Sequence, residues 1–424
     1  MDMELTAEVK YRLLAQISHE IRNTLDLDEI LNHLLDMVQS VLEYDAAGVF
    51  VLNQDFAQLR RKQIHGLIAG IAMRGFNTPA PSVDPMVSEG KGIIGHVIRT
   101  GECVVAPDVR GDTHYVCGRK ETLSEIAVPI TRNGRAVGAL NLESNKLGAY
   151  SDSNLEILQF VADAAATSIE KAILHRQILE KERMEEQLRV AHQVQSRLIP
   201  KNPPSVPGYD IAGICIPTYE IGGDYFDYLQ LPNGKIGIVV ADVSGQGIAA
   251  ALMMTSFRAL LRTQVQHDSR PEHIASALNR LLPEFIGDEH YVTSVYGVLS
   301  PSEGHFAYVD CGHNAPMLFR ADGSVERLLV GGPVLSGALT GVSYRTYEIG
   351  LARGDLLLLY TDGVVEVEDE EGEEFGIERL KATVKRSQDL PVSEIIHALV
   401  QATQEFSGSR NYRDDFTLVI LRRE

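Results

Sequence analysis

The chain has 424 residues, of which 44% are hydrophobic and 23% are charged. This length predicts two or three domains, because a single hydrophobic core stops growing at about 250–300 residues. The 39 basic and 58 acidic residues leave a net charge of −19, which disfavours binding to nucleic acid or to anionic lipid.

The cysteines and the N-terminal residues indicate the compartment. Four cysteines lie far apart without CxxC spacing: Cys103, Cys117, Cys215 and Cys311. We therefore expect buried thiols rather than a disulfide or zinc framework. The opening MDMELTAEVKYR is charged and lacks the apolar segment of a signal peptide, and no run approaches the ~18 apolar residues of a membrane helix. The sequence predicts a cytoplasmic protein.

The first part of the chain, residues 1–170, alternates helices with strands. Apolar residues on a 3.6-residue period predict an amphipathic helix over 11–43, and AAGVFVLN (46–53) is typical of a strand. The pair Asn133-Gly134 between two apolar runs predicts a hairpin. Ser153 and Glu156 have the capping spacing that opens a long helix. We expect a helix–sheet–helix domain.

A heptad pattern continues this last helix through 171–200. Its seam has spacings of four and three residues, at Met184, Leu188, Ala191, Gln195 and Leu198. We favour a coiled-coil linker that joins two protomers in parallel, with the polar Gln195 helping to set the register. The alternative is a helix packed along its own domain.

Residues 201–424 are predicted to form an α+β domain. Apolar strands are expected at 235–243, 291–299, 305–310, 355–361 and 415–421, and helices at 247–266, 271–285, 376–387 and 392–406. Non-local strands with segregated helix pairs favour a layered α+β arrangement over a parallel βαβ one.

Acidic side chains stand at or beside the ends of several of these strands. They are Asp224, Asp242, Asp362 and the pair Asp414-Asp415. Singly, an aspartate at a strand end is usually a turn or cap residue. Strand ends on one edge of a sheet converge, and gathered carboxylates without Lys or Arg partners are costly unless cations bind them. Oxygen ligands of this kind favour Mg²⁺ or Mn²⁺.

The motifs that contain these residues resemble one enzyme family. GGDYFD, ADVSGQGIAAALMM, CGHNAPML, LLYTDGVVE and RDDFTLVIL look like the successive motifs of the PPM (PP2C-like) serine/threonine phosphatases, and the bacterial SpoIIE/RsbU branch is the most similar. The resemblance implies a central β-sandwich flanked by helix pairs, with a binuclear metal site at one edge. It also implies direct hydrolysis without a phosphoenzyme.

The resemblance assigns roles to individual positions. Asp242 would bridge two ions, Mn²⁺ or Mg²⁺, together with the backbone carbonyl of Val243. Asp362 and Asp414 would hold one ion, and Asp224 would serve the other directly or through water. These four aspartates are the predicted catalytic residues.

Some positions depart from the family pattern. Asp415, a further predicted metal ligand, stands where some relatives have Asn. Ser244 stands where the eukaryotic branch has a His, and Gln246 where many bacterial relatives have one. The phosphate-gripping Arg of other members has no counterpart in PTYEIGGD. The proton donor to the leaving group is unassigned, with a metal-bound water as the simplest candidate and His313 as another.

The N-terminal block resembles a GAF domain. NTLDLDEILNHLLDMV, KGIIGHVIRTGECVVAPDV, EIAVPITRNGRAVGALNLES and YSDSNLEILQFVADAAATSIEKA follow that family's pattern in order. The resemblance implies a small-ligand sensor and a dimerisation unit, but the ligand is unknown. Cys103 and Cys117 would suit a redox or chromophore site, and we favour buried structural thiols instead.

Three other signals are weaker. SHEIRNTL, with His19, looks like the phosphoacceptor box of a histidine kinase, but no ATP-binding motifs follow. Gly245-Gln246-Gly247 lacks the remaining residues of a nucleotide loop. The acidic run at 366–375 is expected to be a solvated loop, or else to screen substrates by charge.

These observations combine into one interpretation. Residues 1–170 are a GAF sensor, 171–200 a coiled-coil linker and 201–424 a PPM phosphatase domain. The chain would remove phosphate from Ser or Thr of a partner protein, by resemblance a STAS anti-anti-sigma-type regulator, within a homodimer. The alternative is a non-catalytic GAF-based dimeric scaffold that binds phosphoproteins.

Overall fold

The computed structural model describes residues 24–52, 68–76, 92–287, 289–339, 341–410 and 412–424. The chain divides into two compact units, Met1–Arg183 and Met184–Glu424. His19 and residues 11–23 of the first predicted helix lie outside the described residues. Within the described ranges, no helix is both long enough and apolar enough to span a bilayer.

The N-terminal unit is one antiparallel sheet with helices. Its elements are α1 Leu27–Gln39, β1 Ala46–Leu52, β2 Ile68–Arg74, α2 Gly92–Thr100, β3 Val104–Ala106, β4 Ser124–Arg132, β5 Arg135–Ser144 and α3 Asp152–Gln195. The strand order is β2-β1-β5-β4-β3. Asn133 and Gly134 both have positive φ, 51° and 74°, as a two-residue hairpin turn requires. The predicted hairpin is confirmed.

The start of α3 differs from its prediction. The backbone N–H and the hydroxyl of Ser151 donate to Asn154 Oδ1 at 2.8 and 3.0 Å. The helix therefore begins at Asp152, and the predicted cap at Ser153 and Glu156 is wrong. The Asn154 side chain accepts the Ser151 backbone N–H, which is one half of a capping box, two residues before the predicted one.

The C-terminal unit contains two antiparallel sheets. Its elements are β6 Tyr209–Ile216, β7 Tyr225–Gln230, β8 Ile236–Val243, α4 Gly247–Gln264, α5 Pro271–Leu281, α6 Pro283–Ile286, β9 Tyr291–Ser300, β10 His305–Cys311, β11 Met317–Phe319, β12 Val325–Arg327, β13 Leu335–Ser336, β14 Tyr347–Gly350, β15 Leu356–Tyr360, α7 Gly376–Arg386, α8 Val392–Ser407 and β16 Phe416–Arg423. One sheet has the order β14-β10-β9-β8-β7, with β13 on β9, and the other β12-β11-β15-β16-β6.

Alternating side chains show how these elements form layers. In β8, Ile238 and Val240 belong to the core shared by the two sheets, whereas Val239 belongs to the core with α4 and α5. In β15, Leu357 faces the shared core and Leu358 faces α7 and α8. The unit is a β-sandwich with a helix pair outside each sheet. Because these strands are buried on both faces, their sequences are continuous apolar runs. The arrangement confirms the predicted α+β class.

The end of α3 corrects the predicted role of Gln195. Gln195 is buried and hydrogen-bonded to the backbone of Gly222 in its own chain. Its neighbour Val194 is 58% exposed. The side chain is thus engaged within the C-terminal unit, and the prediction that it helps to set a coiled-coil register is wrong.

The cysteines also differ from their prediction. All four are free, and Cys311 is buried, but Cys103 and Cys117 are exposed. Both exposed thiols lie in loops, one between α2 and β3 and one before β4. Isolated cysteines carry no periodicity that distinguishes a loop from a core position.

A pair of buried carboxylates lies in the sheet of the N-terminal unit. Glu125 and Glu143 face each other across β4 and β5 and are only 3% and 6% exposed. Asn141 Nδ2 donates to both, at 3.1 and 3.4 Å, and the Thr122 hydroxyl donates to Glu143. Burial, followed by the charge of Glu143, raises the pKa of Glu125 to about 8, and burial also raises the pKa of Glu143.

We predict that this unit loses stability as pH rises. The folded pKa of Glu125, about 8, lies above its ordinary value of 4.5, so its contribution is complete below 4.5 and is lost as pH rises toward 8. Glu125→Gln should flatten this dependence. Pulse proteolysis in urea at about pH 6 and about pH 9, with fragments of the unit identified by mass, measures the change. Glu102→Gln, at an exposed position, should behave like the parent; equal pH profiles for all three chains would contradict the assignment.

Candidate metal centre

The site lies at one edge of the β-sandwich, and the first sheet supplies two of its aspartates. Asp224 directly precedes β7, and Asp242 is the penultimate residue of β8. Tyr225 pairs with Ala241 in the ladder between these strands. The two carboxylates therefore belong to the same end of neighbouring strands.

The second sheet supplies the other aspartates. Asp362 follows β15 in a short 3₁₀ turn, and Asp414 lies two residues before β16. Between these strands, Thr361 N–H donates to the carbonyl of Thr417 at 3.0 Å. The Thr361 hydroxyl donates to Asp224 Oδ2 at 2.8 Å, and this bond connects the two sheets at the site.

Mutual repulsion and burial dominate the electrostatics. Burial, and then the charge of Asp242, raises the pKa of Asp224 well above its ordinary value. Burial, followed by Asp362, Asp414 and Asp415, raises the pKa of Asp242 to about 7. Asp414 has a raised pKa for the same reasons, burial first and then Asp362 and Asp415. Every charged group that raises these pKa values is another carboxylate.

This donor set fits hard divalent cations. Carboxylate and carbonyl oxygens are the ligands that Mg²⁺ and Mn²⁺ prefer, and the Val243 carbonyl approaches the same loop, 2.9 Å from where a Cβ on Gly223 would lie. As the side chains stand, no three of the described His, Cys, Asp or Glu residues form a closed ligand set. The structure thus brings the predicted ligands to one edge without closing them around a common point.

Asp415 is engaged with the backbone. Its Oδ1 accepts the N–H of Thr218 at 2.8 Å, and its Oδ2 accepts those of Gly223 and Asp224 at 2.7 and 3.3 Å. A Cβ on Gly222 would lie 2.2 Å from Asp415 Oδ2, so any other residue there would displace this carboxylate. Asp415 therefore holds the loop that carries Asp224, and its further role as a metal ligand stays a prediction.

The turn after Asp242 is held by Ser244. The Ser244 N–H donates to the Tyr291 carbonyl and its hydroxyl accepts the Tyr291 N–H, both at 3.0 Å. Gly245 and Gly247 have φ values of 100° and 68°, a region that favours glycine. These glycines serve the turn that leads into α4, which explains their presence without a nucleotide.

His313 lies near the site but is poorly suited to donate a proton. Its Nδ1 is 2.7 Å from the hydroxyl of Thr293, which pairs with Asp242 between β8 and β9. Burial lowers the pKa of His313 to about 4, so the ring is neutral near pH 7. The ring keeps one enclosed nitrogen, Nε2, without a hydrogen-bond partner.

Two residues with contacts to the site were not assigned roles there from the sequence. Thr361 bonds to Asp224, and Gln195 bonds to the loop that precedes it. Thr361 lies directly before Asp362, so its position in the LLYTDG motif is a usable signal. Gln195 has no such signal, because the residue it contacts is 27 positions away.

The C-terminal unit has the fold of a PP2C-like domain. Residues 232–424 match the family described as Stage II sporulation protein E (SpoIIE), and residues 24–170 match the GAF domain family. The chain is 27% identical over 241 residues to the phosphoserine phosphatase RsbU of Bacillus subtilis, covering 56% of this chain and 70% of RsbU. It is 26% identical over 206 residues to the phosphoserine phosphatase RsbP of the same organism, covering 48% of this chain and 49% of RsbP.

A solved structure supports the fold. The SiaA PP2C domain of Pseudomonas aeruginosa aligns with a TM-score of 0.50 at 21% identity, over 58% of this chain and 99% of that domain. The chain therefore carries a protein phosphatase domain of the SpoIIE type joined to a GAF domain, and it is homologous to RsbU and RsbP.

We predict that the carboxylate cluster destabilises the metal-free protein. Asp242→Asn should raise the thermal midpoint without metal by a few degrees, because about 1 kcal/mol shifts the midpoint of a unit of this size by roughly 2–4 °C. The same variant should lose most of the midpoint increase that Mn²⁺ gives the parent. Calorimetry with and without Mn²⁺ checks both effects. Asp389→Asn, at an exposed position, should change neither; a lower metal-free midpoint for Asp242→Asn contradicts the prediction.

Proposed function

We propose that the chain is a divalent-metal-dependent phosphatase that hydrolyses phosphoserine or phosphothreonine on a partner protein. One observation supports this most: aspartates from two sheets gather at one edge, where burial and mutual repulsion raise the pKa of Asp224, Asp242 and Asp414. The names of RsbU and RsbP, both phosphoserine phosphatases, support the class of substrate.

The proposed ligands are the four aspartates, the Val243 carbonyl and, as a further candidate, Asp415. Two bound Mn²⁺ or Mg²⁺ ions would supply Lewis-acid polarisation of phosphate and a lowered pKa for a water nucleophile. The chain's own residues prepare this site. Thr361 orients the Asp224 carboxylate by a hydrogen bond, and Asp415 fixes the backbone that carries Asp224. Gly223 leaves space beside the Val243 carbonyl.

We predict Mn²⁺-dependent release of phosphate from a phosphoserine peptide. Asp242→Asn should lower kcat/KM by more than about 100-fold, because losing a ligand should exceed the 10–100-fold cost of losing one of its outer hydrogen-bond partners. Malachite-green detection of phosphate over a series of Mn²⁺ concentrations measures this.

The matched control is Asp389→Asn, which should retain the activity of the parent. Turnover that persists in a chelator, or that survives Asp242→Asn, would rule out the metal-dependent mechanism. Binding of the phosphopeptide without any turnover at saturating Mn²⁺ would instead favour the scaffold alternative.

The resemblance to the SpoIIE/RsbU branch also supports finer proposals. We propose a phosphorylated STAS-type regulator as the natural substrate, a cytoplasmic location, and control by a ligand of the GAF domain. Quantitative phosphoproteomics of cells carrying Asp242→Asn identifies the substrate, because the target protein should accumulate in its phosphorylated form. Failure of any STAS-type protein to accumulate phosphate contradicts that assignment.

We predict a homodimer in which α3 takes part. Six apolar side chains of this helix are 45–58% exposed: Leu174, Ile178, Leu179, Met184, Val190 and Val194. Ile178→Glu should weaken self-association at least about ten-fold, since a buried charge costs more than the 1.4 kcal/mol that a ten-fold change represents. Light scattering over a concentration series measures the mass. Leu329→Glu, at another exposed apolar position, is the control; a monomeric parent contradicts the prediction.

A further inference from the structure

One polar side chain of the N-terminal sheet is surrounded by short ones. Asn141 on β5 pairs with Gly48 on β1 and with Ala127 on β4. Ala139, two residues earlier on β5, lies on the same face, because side chains alternate along a strand. These three neighbours have no side chain beyond Cβ, so this face of the sheet is shallow around the Asn141 amide.

Two carboxylates stand beside this amide. Glu125 and Glu143 are the next pair along β4 and β5 on the same face, and Asn141 Nδ2 donates to both at 3.1 and 3.4 Å. Arg119 acts on Glu143 through its charge, but its guanidinium bonds to Asn145. The Asn141 amide is a neutral donor, so it does not supply the positive charge that two buried carboxylates favour.

The amide keeps an unused acceptor. Asn141 is 0% exposed, and its Oδ1 has no hydrogen-bond partner. Exchanging the oxygen and nitrogen of the amide would turn the oxygen toward Glu125 and Glu143 and lose both bonds, so the orientation is fixed by its neighbours. A buried acceptor without a donor is costly. An open acceptor beside two carboxylates indicates a ligand that brings hydrogen-bond donors.

An aromatic ring borders the same place. A Cβ on Gly48 would lie 2.8 Å from Asn141 Oδ1 and 2.6 Å from Cε2 of Phe50. The missing side chain of Gly48 therefore leaves the oxygen and the ring beside one small volume. Aromatic rings attract cations. Two carboxylates, an amide oxygen and an aromatic ring together favour a positively charged group that carries N–H donors.

We propose that this face of the GAF unit binds a small organic cation, an ammonium or guanidinium group, through Glu125, Glu143 and Asn141 Oδ1, with Phe50 beside it. The N–H groups of such a ligand supply the donor that Oδ1 lacks, and its charge offsets the two carboxylates. The proposal names the class of ligand for the GAF control proposed above and does not depend on the metal-dependent reaction.

The probe is methylguanidinium, which stays charged to high pH as the arginine side chain does. Saturation-transfer NMR on its methyl protons, with the full chain, should show binding that Glu125→Gln weakens at least about ten-fold. A hydrogen bond to a charged group is worth at least about the 1.4 kcal/mol of that change. Tetramethylammonium, which has the same charge and no N–H group, should bind at least about ten-fold more weakly. Glu102→Gln, at an exposed position, should bind like the parent.

Binding should also depend on pH. The titratable groups near Glu125 are Glu143, Asp112 and Tyr115, and Arg119 acts on Glu143. Burial, and then the charge of Glu143, raises the pKa of Glu125 to about 8, so at pH 7 the cation must displace a proton. Methylguanidinium should therefore bind about ten-fold more tightly at about pH 9 than at about pH 7. Glu125→Gln should lose this difference.

The outcomes decide the proposal. A parent that does not bind methylguanidinium, or that binds tetramethylammonium as tightly, overturns it, and so does equal affinity in Glu125→Gln. If Glu125→Gln does not fold by circular dichroism, Glu143→Gln takes its place with the same expected weakening. A parent that binds methylguanidinium but shows no metal-dependent turnover overturns the proposed phosphatase function and supports this site, so the two failures are distinguishable.

Discussion

The clustering of like charges at the edge of the sandwich is the constraint on which the C-terminal unit depends. Strand ends from both sheets place Asp224, Asp242, Asp362 and Asp414 in one region. Burial and the charges of neighbouring carboxylates raise the pKa values of Asp224, Asp242 and Asp414. Such an arrangement is costly in a protein without counter-charge. A bound divalent cation would supply the missing positive charge. For this reason the acidic edge supports a metal-dependent function more strongly than any single motif does.

The same residue type has two different roles at this edge. Asp415 lies directly beside Asp414 in the sequence, yet its carboxylate accepts three backbone N–H groups of the neighbouring loop. Asp224 accepts a side-chain hydrogen bond from Thr361. The difference follows from what each carboxylate meets: one is satisfied by the protein's own donors, and the other keeps lone pairs for an additional partner.

The N-terminal unit shows another solution to the same electrostatic problem. Glu125 and Glu143 are also buried and opposite each other, but an amide and a hydroxyl lie between and beside them. With the pKa of Glu125 raised to about 8, protonation removes the repulsion at neutral pH. The N-terminal unit thus neutralises its buried acids with protons and hydrogen bonds. The C-terminal unit gathers more carboxylates than protonation and hydrogen bonds can neutralise.

Much of the fold was predictable because several of its strands are continuous apolar runs in the sequence. The runs at 235–243 and 355–361 are apolar on both faces, and the sandwich with a helix pair on each side requires this pattern. The hairpin at Asn133-Gly134 was predictable because few residues adopt the left-handed conformation that its turn needs. The cap of α3 was misplaced because Ser151 and Ser153 both have suitable partners three residues later.

The sequence by itself determined the two domain types, the strands at 235–243, 291–299, 305–310, 355–361 and 415–421, and the set of aspartates at the strand ends. Only the tertiary structure decided which of these aspartates accepts hydrogen bonds from the backbone. It also decided that Gln195 bonds within its own domain and that Cys103 and Cys117 are exposed. The reason is physical, because periodicity and turn conformation depend on residues that are close together in the sequence. Hydrogen-bond partners such as Gln195 and Gly222 are separated along the chain and become neighbours only when the sheets and helices pack.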